Sequence, residues 1–220
     1  MAKREPVLVV GLGRFGSALA RELVELRHEV LGIDRDARLV QGHMDVLTHV
    51  AQADATDPDA LRALVREGTY TTAVVAIGTD VESSVLATHV LVSDLAVPRV
   101  WAKAITASHG RILERVGAHR VVFPEREMGI RVAHVLTGRT LDYMELEGEF
   151  ALLETTPPSD IIGKTLEQAA VRQRHGVTVV CVKPPGGVFT YATPTTVIGP
   201  EDHLLVAGET RQVEQFANLS

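Results

Sequence analysis

Gly11, Gly13 and Gly16 stand in G-x-G-x-x-G spacing directly after the apolar run Val7-Leu8-Val9-Val10. That spacing suits anion binding. The first glycine permits a tight turn after a strand, the second lets the backbone approach a diphosphate, and the third lets the next helix sit close to the strand. The helix N-terminus then offers N–H groups and the positive end of its dipole. Arg14, within the loop beside Phe15, can fork onto phosphate; its bland alternative is a solvated surface charge. A second apolar run, Glu29–Ile33, ends at Asp34, where an acid can accept hydrogen bonds from ribose hydroxyls. The same charge repels a 2′-phosphate and disfavours NADP, while Arg35 beside it argues the other way.

Elements that would position these residues follow in order. Ser17–Leu26 has helical periodicity, and Val46–Ala51 reads as a third strand leading into Asp54-Ala55-Thr56. Asp57 and Pro58 read as the N-cap and first residue of a helix to about Glu67. Thr72–Ile77 is a fourth strand before Gly78, with a helix over Val81–Leu95; Pro98–Lys103 is a fifth strand and Ser108–Val116 a helix. Arg120–Phe123 is a sixth strand and Met128–Leu136 a helix ended by Gly138. Strands alternating with helices predict a Rossmann-like, doubly wound parallel α/β sheet with right-handed crossovers. Ligands bind at strand carboxyl ends in such sheets, which singles out Ile77, Gly78, Lys103 and Glu125 beside the loop, Asp34 and Asp54–Thr56.

Several of these residues carry two readings. Asp54 and Thr56 line a ligand or cap the helix beginning at Asp57. Gly78 lets a ligand pass or simply turns the chain. Lys103 faces phosphate or snorkels from an edge. A carboxylate at Glu125 near phosphates calls for an intervening cation, and Mg²⁺ needs few carboxylates beside phosphate oxygens; otherwise Glu125 is an acid favouring a helix start.

After Glu125 the pattern changes. Leu141–Leu146, Phe150–Thr155, Val177–Val182 and His203–Ala207 alternate like strands, Pro184–Gly187 turns a hairpin returning over Val188–Tyr191, and Leu166–Arg172 and Glu209–Asn218 read as helices. This predicts a small α+β domain, with boundaries at 1–137 and 138–220. The chain is 220 residues long, 45% hydrophobic, with net charge −6 and its charges interleaved. No basic tract suggests nucleic acid. No signal peptide or membrane span is expected, and the single Cys181, inside an apolar run, fits a reducing compartment. The scattered histidines show no zinc spacing, and no catalytic elbow or acid–base set stands out.

Together these segments resemble the RCK family, also called KTN or TrkA-N proteins. The carrying residues are Val-Val-Gly-Leu-Gly-Arg-Phe-Gly at 9–16, His-Glu-Val-Leu-Gly-Ile-Asp at 28–34, Ala-Asp-Ala-Thr at 53–56 and Val-Val-Ala-Ile-Gly at 74–78. Val-Trp-Ala-Lys-Ala at 100–104, Gly-Ala-His-Arg-Val-Val-Phe-Pro-Glu at 117–125, Ile-Gly-Lys-Thr-Leu at 162–166 and Asp-His-Leu-Leu-Val-Ala-Gly at 202–208 continue it, the last two resembling the family's RCK-C (TrkA-C) domain. Within the family, the chain looks like the soluble subunits of bacterial Ktr potassium-uptake systems.

The resemblance implies a non-enzymatic gating subunit. Its homodimers would assemble into an octameric ring docked at the cytoplasmic side of a membrane potassium-translocating partner and answer to ATP and ADP. It assigns the nucleotide site to Gly11, Gly13, Arg14, Phe15, Gly16, Asp34, Arg35, Asp54, Ala55, Thr56, Ile77, Gly78, Lys103 and Glu125, with a divalent cation on Glu125. In some relatives cyclic di-AMP binds the small domain, which makes Arg172 and His175 candidates for a second site. The rivals are a subunit answering to NAD(H), an NAD-dependent oxidoreductase, and a structural assembly protein with a vestigial site.

Overall fold

The computed structural model describes residues 5–65, 69–136, 139–146 and 148–219. The chain divides into two compact units, one up to Glu125 and one from Arg126.

In the first unit, strands β1 (Val7–Val10), β2 (Val30–Asp34), β3 (His49–Gln52), β4 (Thr72–Val75), β5 (Arg99–Lys103) and β6 (Arg120–Val122) form a sheet. All its pairs are parallel, in the order β3-β2-β1-β4-β5-β6. The apolar runs are continuous because both faces are covered. On β1, Leu8 and Val10 join one core with Leu61, Ala87 and Leu113 from the helices. Val7 and Val9 enter the opposite core with Ala20. The strand order reverses between β1 and β4, and a crevice opens there at the carboxyl ends.

Helices α1 (Arg14–Glu25), α2 (Ala37–Gln41), α3 (Pro58–Leu64), α4 (Val81–His89), α5 (Ala107–Arg115) and α6 (Pro124–Leu136) alternate with these strands. Asp57 caps α3 as expected, accepting from the N–H groups of Asp59 and Ala60. That helix ends at Leu64; the expected end at Glu67 lies outside the described residues.

Other bounds differ from the sequence reading for physical reasons. The third strand starts at His49, because the N–H groups of Val46 and Leu47 both bond the His43 carbonyl in a turn. Leu47 is nevertheless buried, so its apolarity serves the core from a turn. The helix expected to run to Leu95 changes to a π-helical segment at Val90–Asp94. Helix α6 begins at Pro124, which is suited to a first turn by its fixed φ and missing donor, so Glu125 lies inside the helix.

The second unit holds β7 (Thr140–Leu146), β8 (Phe150–Thr155), β9 (Thr178–Lys183), β10 (Thr190–Tyr191) and β11 (His203–Glu209). They pair antiparallel in the order β10-β9-β11-β8-β7. One face is buried: Ala151 and Leu153 on β8 and Leu204 and Val206 on β11 meet Val213 and Phe216 of α9 (Thr210–Ala217). The single short helix expected over Leu166–Arg172 is two, α7 (Leu166–Ala169) and α8 (Val171–His175). Ala170 between them is left-handed at φ 48°, a conformation the sequence does not advertise. The residue expected to cap α6, Gly138, lies outside the described residues. Ile130 of α6 packs against the second unit's core, and Arg131 forks onto Asp142 of β7 at 2.6 and 2.7 Å. Among the described residues, no helix is long and apolar enough to cross a membrane.

Candidate functional site

The site is built on the turn between β1 and α1. The Gly11 N–H donates to the Ile33 carbonyl at 2.7 Å while Gly11 holds φ at +95°, a conformation that favours glycine. A Cβ on Gly16 would lie 1.8 Å from the Gly11 carbonyl oxygen, so α1 can start against this turn only without a side chain there. Gly13 is different. It is the extended N-cap of α1, a Cβ on it would meet nothing within 4 Å, and no side chain caps the helix. Unsatisfied N–H groups in that first turn are what a phosphate would accept from.

Gly11, Gly13, Arg14 and Phe15 line a cleft of about 380 Å³, a size ordinary for small-molecule sites. Asp34, Arg35, Asp54, Ala55, Thr56, Ile77, Gly78, Lys103 and Glu125 line the same cleft. Of the candidates read from the sequence, Gly16 alone is not on its wall; it is buried beneath the loop, where it fixes how α1 packs.

One end of the cleft is acidic. Asp34 accepts from the Leu12 N–H at 2.7 Å with one oxygen and from the Asp36 N–H at 2.8 Å with the other. It therefore ties the glycine loop to the end of β2, and its remaining lone pairs are the ones a ribose could use. Asp54 accepts from both the N–H (2.9 Å) and the hydroxyl (2.8 Å) of Thr56. These bonds hold its carboxyl below the usual range, the backbone bond being the larger cause. This is a turn built on itself rather than a cap for α3, whose cap is Asp57. Asp80 caps α4, taking the Ser83 hydroxyl at 2.6 Å and its N–H at 3.2 Å, and lies 3.8 Å from Arg35. Arg38 is held by Asp36 at 2.9 Å.

At the other end the geometry centres on Lys103. The residue is only 7% exposed, and its Nζ lies 2.5 Å from Glu125 Oε1 and 5.6 Å from the Phe15 ring centre. A Cβ on Gly78 would come within 3.1 Å of that ammonium, so this glycine makes room for Lys103. Glu125, whose side chain is 63% exposed, has its carboxyl held below the usual range, chiefly by the Lys103 hydrogen bond, with Arg14 contributing. Lys103 thus supplies the positive charge that faces Glu125. Among the described residues, no group of three or more His, Cys, Asp or Glu is placed to hold a metal. A divalent ion on Glu125 would draw its other ligands from phosphate and water.

Sequence reasoning missed Asp36, Leu39, Ser83 and Ile105 on the cleft wall. The cap-and-helix pattern at Asp36–Gln41 was the available signal for the first two. In the second unit, Arg172 lines a more open cleft of about 390 Å³ with Ala170, Gln173 and Thr178. His175 is not on that wall; its ring packs edge-on to Phe216, with centres 5.5 Å apart.

Comparison with known proteins matches residues 7–124 to the TrkA-N domain and residues 150–220 to the TrkA-C domain. The chain is 32% identical to the Ktr system potassium uptake protein A of Bacillus subtilis over 98% of this chain and 97% of that one. It is 34% identical to protein C of the same system and organism, over 94% of each. Among solved structures, the GsuK channel covers all of this chain with 40% of its own length, at TM-score 0.69 and 20% identity. The same channel bound to NAD gives a TM-score of 0.68 at 19% identity. At these identities the structural matches carry the fold alone.

Proposed function

The chain belongs to the TrkA-N/TrkA-C (RCK) family, and from that premise we propose that it is a nucleotide-responsive regulatory subunit of a bacterial Ktr-type potassium uptake system. The observation that carries this reading is the phosphate end of the cleft: an α1 N-terminus with no side-chain cap, Arg14 beside it and a buried Lys103 opposite. The two Bacillus relatives, matched over nearly their whole length, supply the transport context.

In this account the first unit binds ATP or ADP. The phosphates lie at Gly13 and Arg14, and the ribose lies at Asp34. Lys103 counters phosphate charge, and Glu125 accepts a divalent cation once phosphate draws Lys103 away. The subunit is regulatory rather than catalytic. Homodimers assemble into an octameric ring at the cytoplasmic face of a membrane potassium-translocating partner. A ligand can bias that ring only through different affinities for its two shapes. The cleft beside Arg172 is the place in the second unit where cyclic di-AMP would act. A response to NAD(H) is the second reading, favoured by Asp34, which suits either ligand's ribose, and by a structural neighbour solved with NAD.

Calorimetric titration of nucleotide-stripped protein with ATP, ADP and NADH, with and without Mg²⁺, tests this. ATP and ADP binding with Mg²⁺ altering ATP most is the expected result. NADH preference moves the reading to the second form, and no binding of any of the three overturns it. Light scattering with ATP present should find rings; a strict monomer contradicts the gating role.

A further inference from the structure

Arg35 stands at the cleft end where an adenosine 2′ position would lie if Asp34 holds the ribose, an assignment that rests on the function proposed above. An arginine next to that acid is the residue type that accommodates a 2′-phosphate, so the pair Asp34-Arg35 is ambiguous by sequence. The structure assigns the arbitration to Asp80, a residue from β4's far loop: we propose that Asp80 engages Arg35 and thereby makes the cleft reject 2′-phosphorylated nucleotides.

Three carboxylates line this end, Asp34, Asp36 and Asp54, together with Arg35; Asp80 and Arg38 do not line it and join it through their ion pairs. Each guanidinium already faces an acid: Arg38 with Asp36 at 2.9 Å and Arg35 with Asp80 at 3.8 Å. Asp80 is itself fixed, because Ser83 holds it through hydroxyl and N–H at the head of α4. The acid is therefore the anchored partner, and Arg35, whose side chain is 65% exposed, is the one that must leave. A doubly charged 2′-phosphate would have to take Arg35 from Asp80 while lying close to the carboxylates of Asp34 and Asp54. A 2′-hydroxyl meets neither obstacle and can donate to Asp34. Asp80 acts here as a positioning residue, through Arg35.

The test is titration with NADH and NADPH, which differ only in the 2′-phosphate, alongside ADP. Asp80→Asn removes the charge while its side-chain oxygen can still accept at the head of α4. Wild type should prefer NADH over NADPH. Asp80→Asn should shrink that preference by about fivefold, the order expected for losing one nearby charge and releasing another, with NADH and ADP affinity little changed. Arg35→Ala alone should leave the preference in place. In the Asp80→Asn/Arg35→Ala double variant the NADPH gain should be lost, since the gain acts through Arg35. An unchanged preference in Asp80→Asn, or an equal gain in both backgrounds, overturns the proposal. If ADP and NADH fail to bind wild type at all, the nucleotide reading itself has failed instead.

Discussion

The two ends of the first unit's cleft are built from opposite materials. At the α1 end the walls are backbone N–H groups, Arg14 and a buried ammonium paired with Glu125. At the β2 end Asp34, Asp36, Asp54 and Arg35 line the wall, Asp80 pairs with Arg35 and Arg38 with Asp36, and these carboxylates are engaged by N–H groups or hydroxyls. A phosphate needs unspent donors, and a ribose needs acceptors fixed in place. On the function proposed above, the asymmetry sets the direction in which a nucleotide would lie. It also explains why the acids can gather without mutual disruption: Asp54 and Asp80 are both held below the usual carboxylate range by local hydrogen bonds, Thr56 to one and Ser83 to the other.

The largest way to break this contrast is to remove the turn that creates the donor end. Gly16→Val puts carbon against the Gly11 carbonyl oxygen, inside van der Waals contact. Loss of nucleotide binding and destabilisation of more than about 3 kcal/mol are expected, the scale of overpacking at a fixed backbone site, read by denaturant unfolding. Next is Lys103→Met, which keeps the side chain's bulk and leaves the Glu125 charge facing phosphate. ATP affinity should fall by about tenfold or more, since a charged hydrogen bond is lost, while adenosine affinity should hold.

Glu125→Gln sharpens the contrast with an effect of opposite sign. Without divalent cations it should raise ATP affinity by a few-fold, because Lys103 is no longer held by a carboxylate. With Mg²⁺ added, the variant should show no further gain. A variant that binds ATP more weakly in EDTA would mean that Glu125 positions Lys103 rather than competing for it.

The smallest effect touches neither end. His109 is 2% exposed in α5, its Nε2 has no hydrogen-bond partner among the described residues, and burial lowers its pKa from the usual 6.5. Its neutral form is therefore favoured in the fold, while the unfolded chain takes up a proton once pH falls below about 6.5. Stability should decline as pH drops through that value and level off below the depressed folded pKa. Thermal unfolding at several pH values should show this, and His109→Gln should flatten the decline.

The donor end was largely legible in the sequence because its parts are contiguous: a four-residue apolar strand, spaced glycines and a helical repeat state the turn within 20 residues or so. The parallel sheet was legible for a similar reason, since strands buried on both faces read as unbroken apolar runs. Long-range pairs were not. Lys103 and Glu125 are each singled out in the sequence as crevice residues, but their pairing shows only where the sheet brings β5 beside the start of α6. Arg35 and Asp80 too are joined only where β2 and β4 flank β1. Local surprises have a different origin. The five-residue α2 is too short to show a period, and an alanine at position 170 gives no sign of a left-handed backbone. The boundary expected at 137/138 follows the end of a helical pattern, whereas the compact units part at Glu125 because Ile130 of α6 packs with the second core.

The central claim is that nucleotide phosphate is held at the α1 end, and Arg14→Ala tests it most directly. Titrating wild type and variant with ATP and with adenosine should show ATP affinity falling by about tenfold or more, the loss of a charge-assisted contact, with adenosine affinity little changed. Equal losses for both ligands, or no loss for ATP, would contradict it.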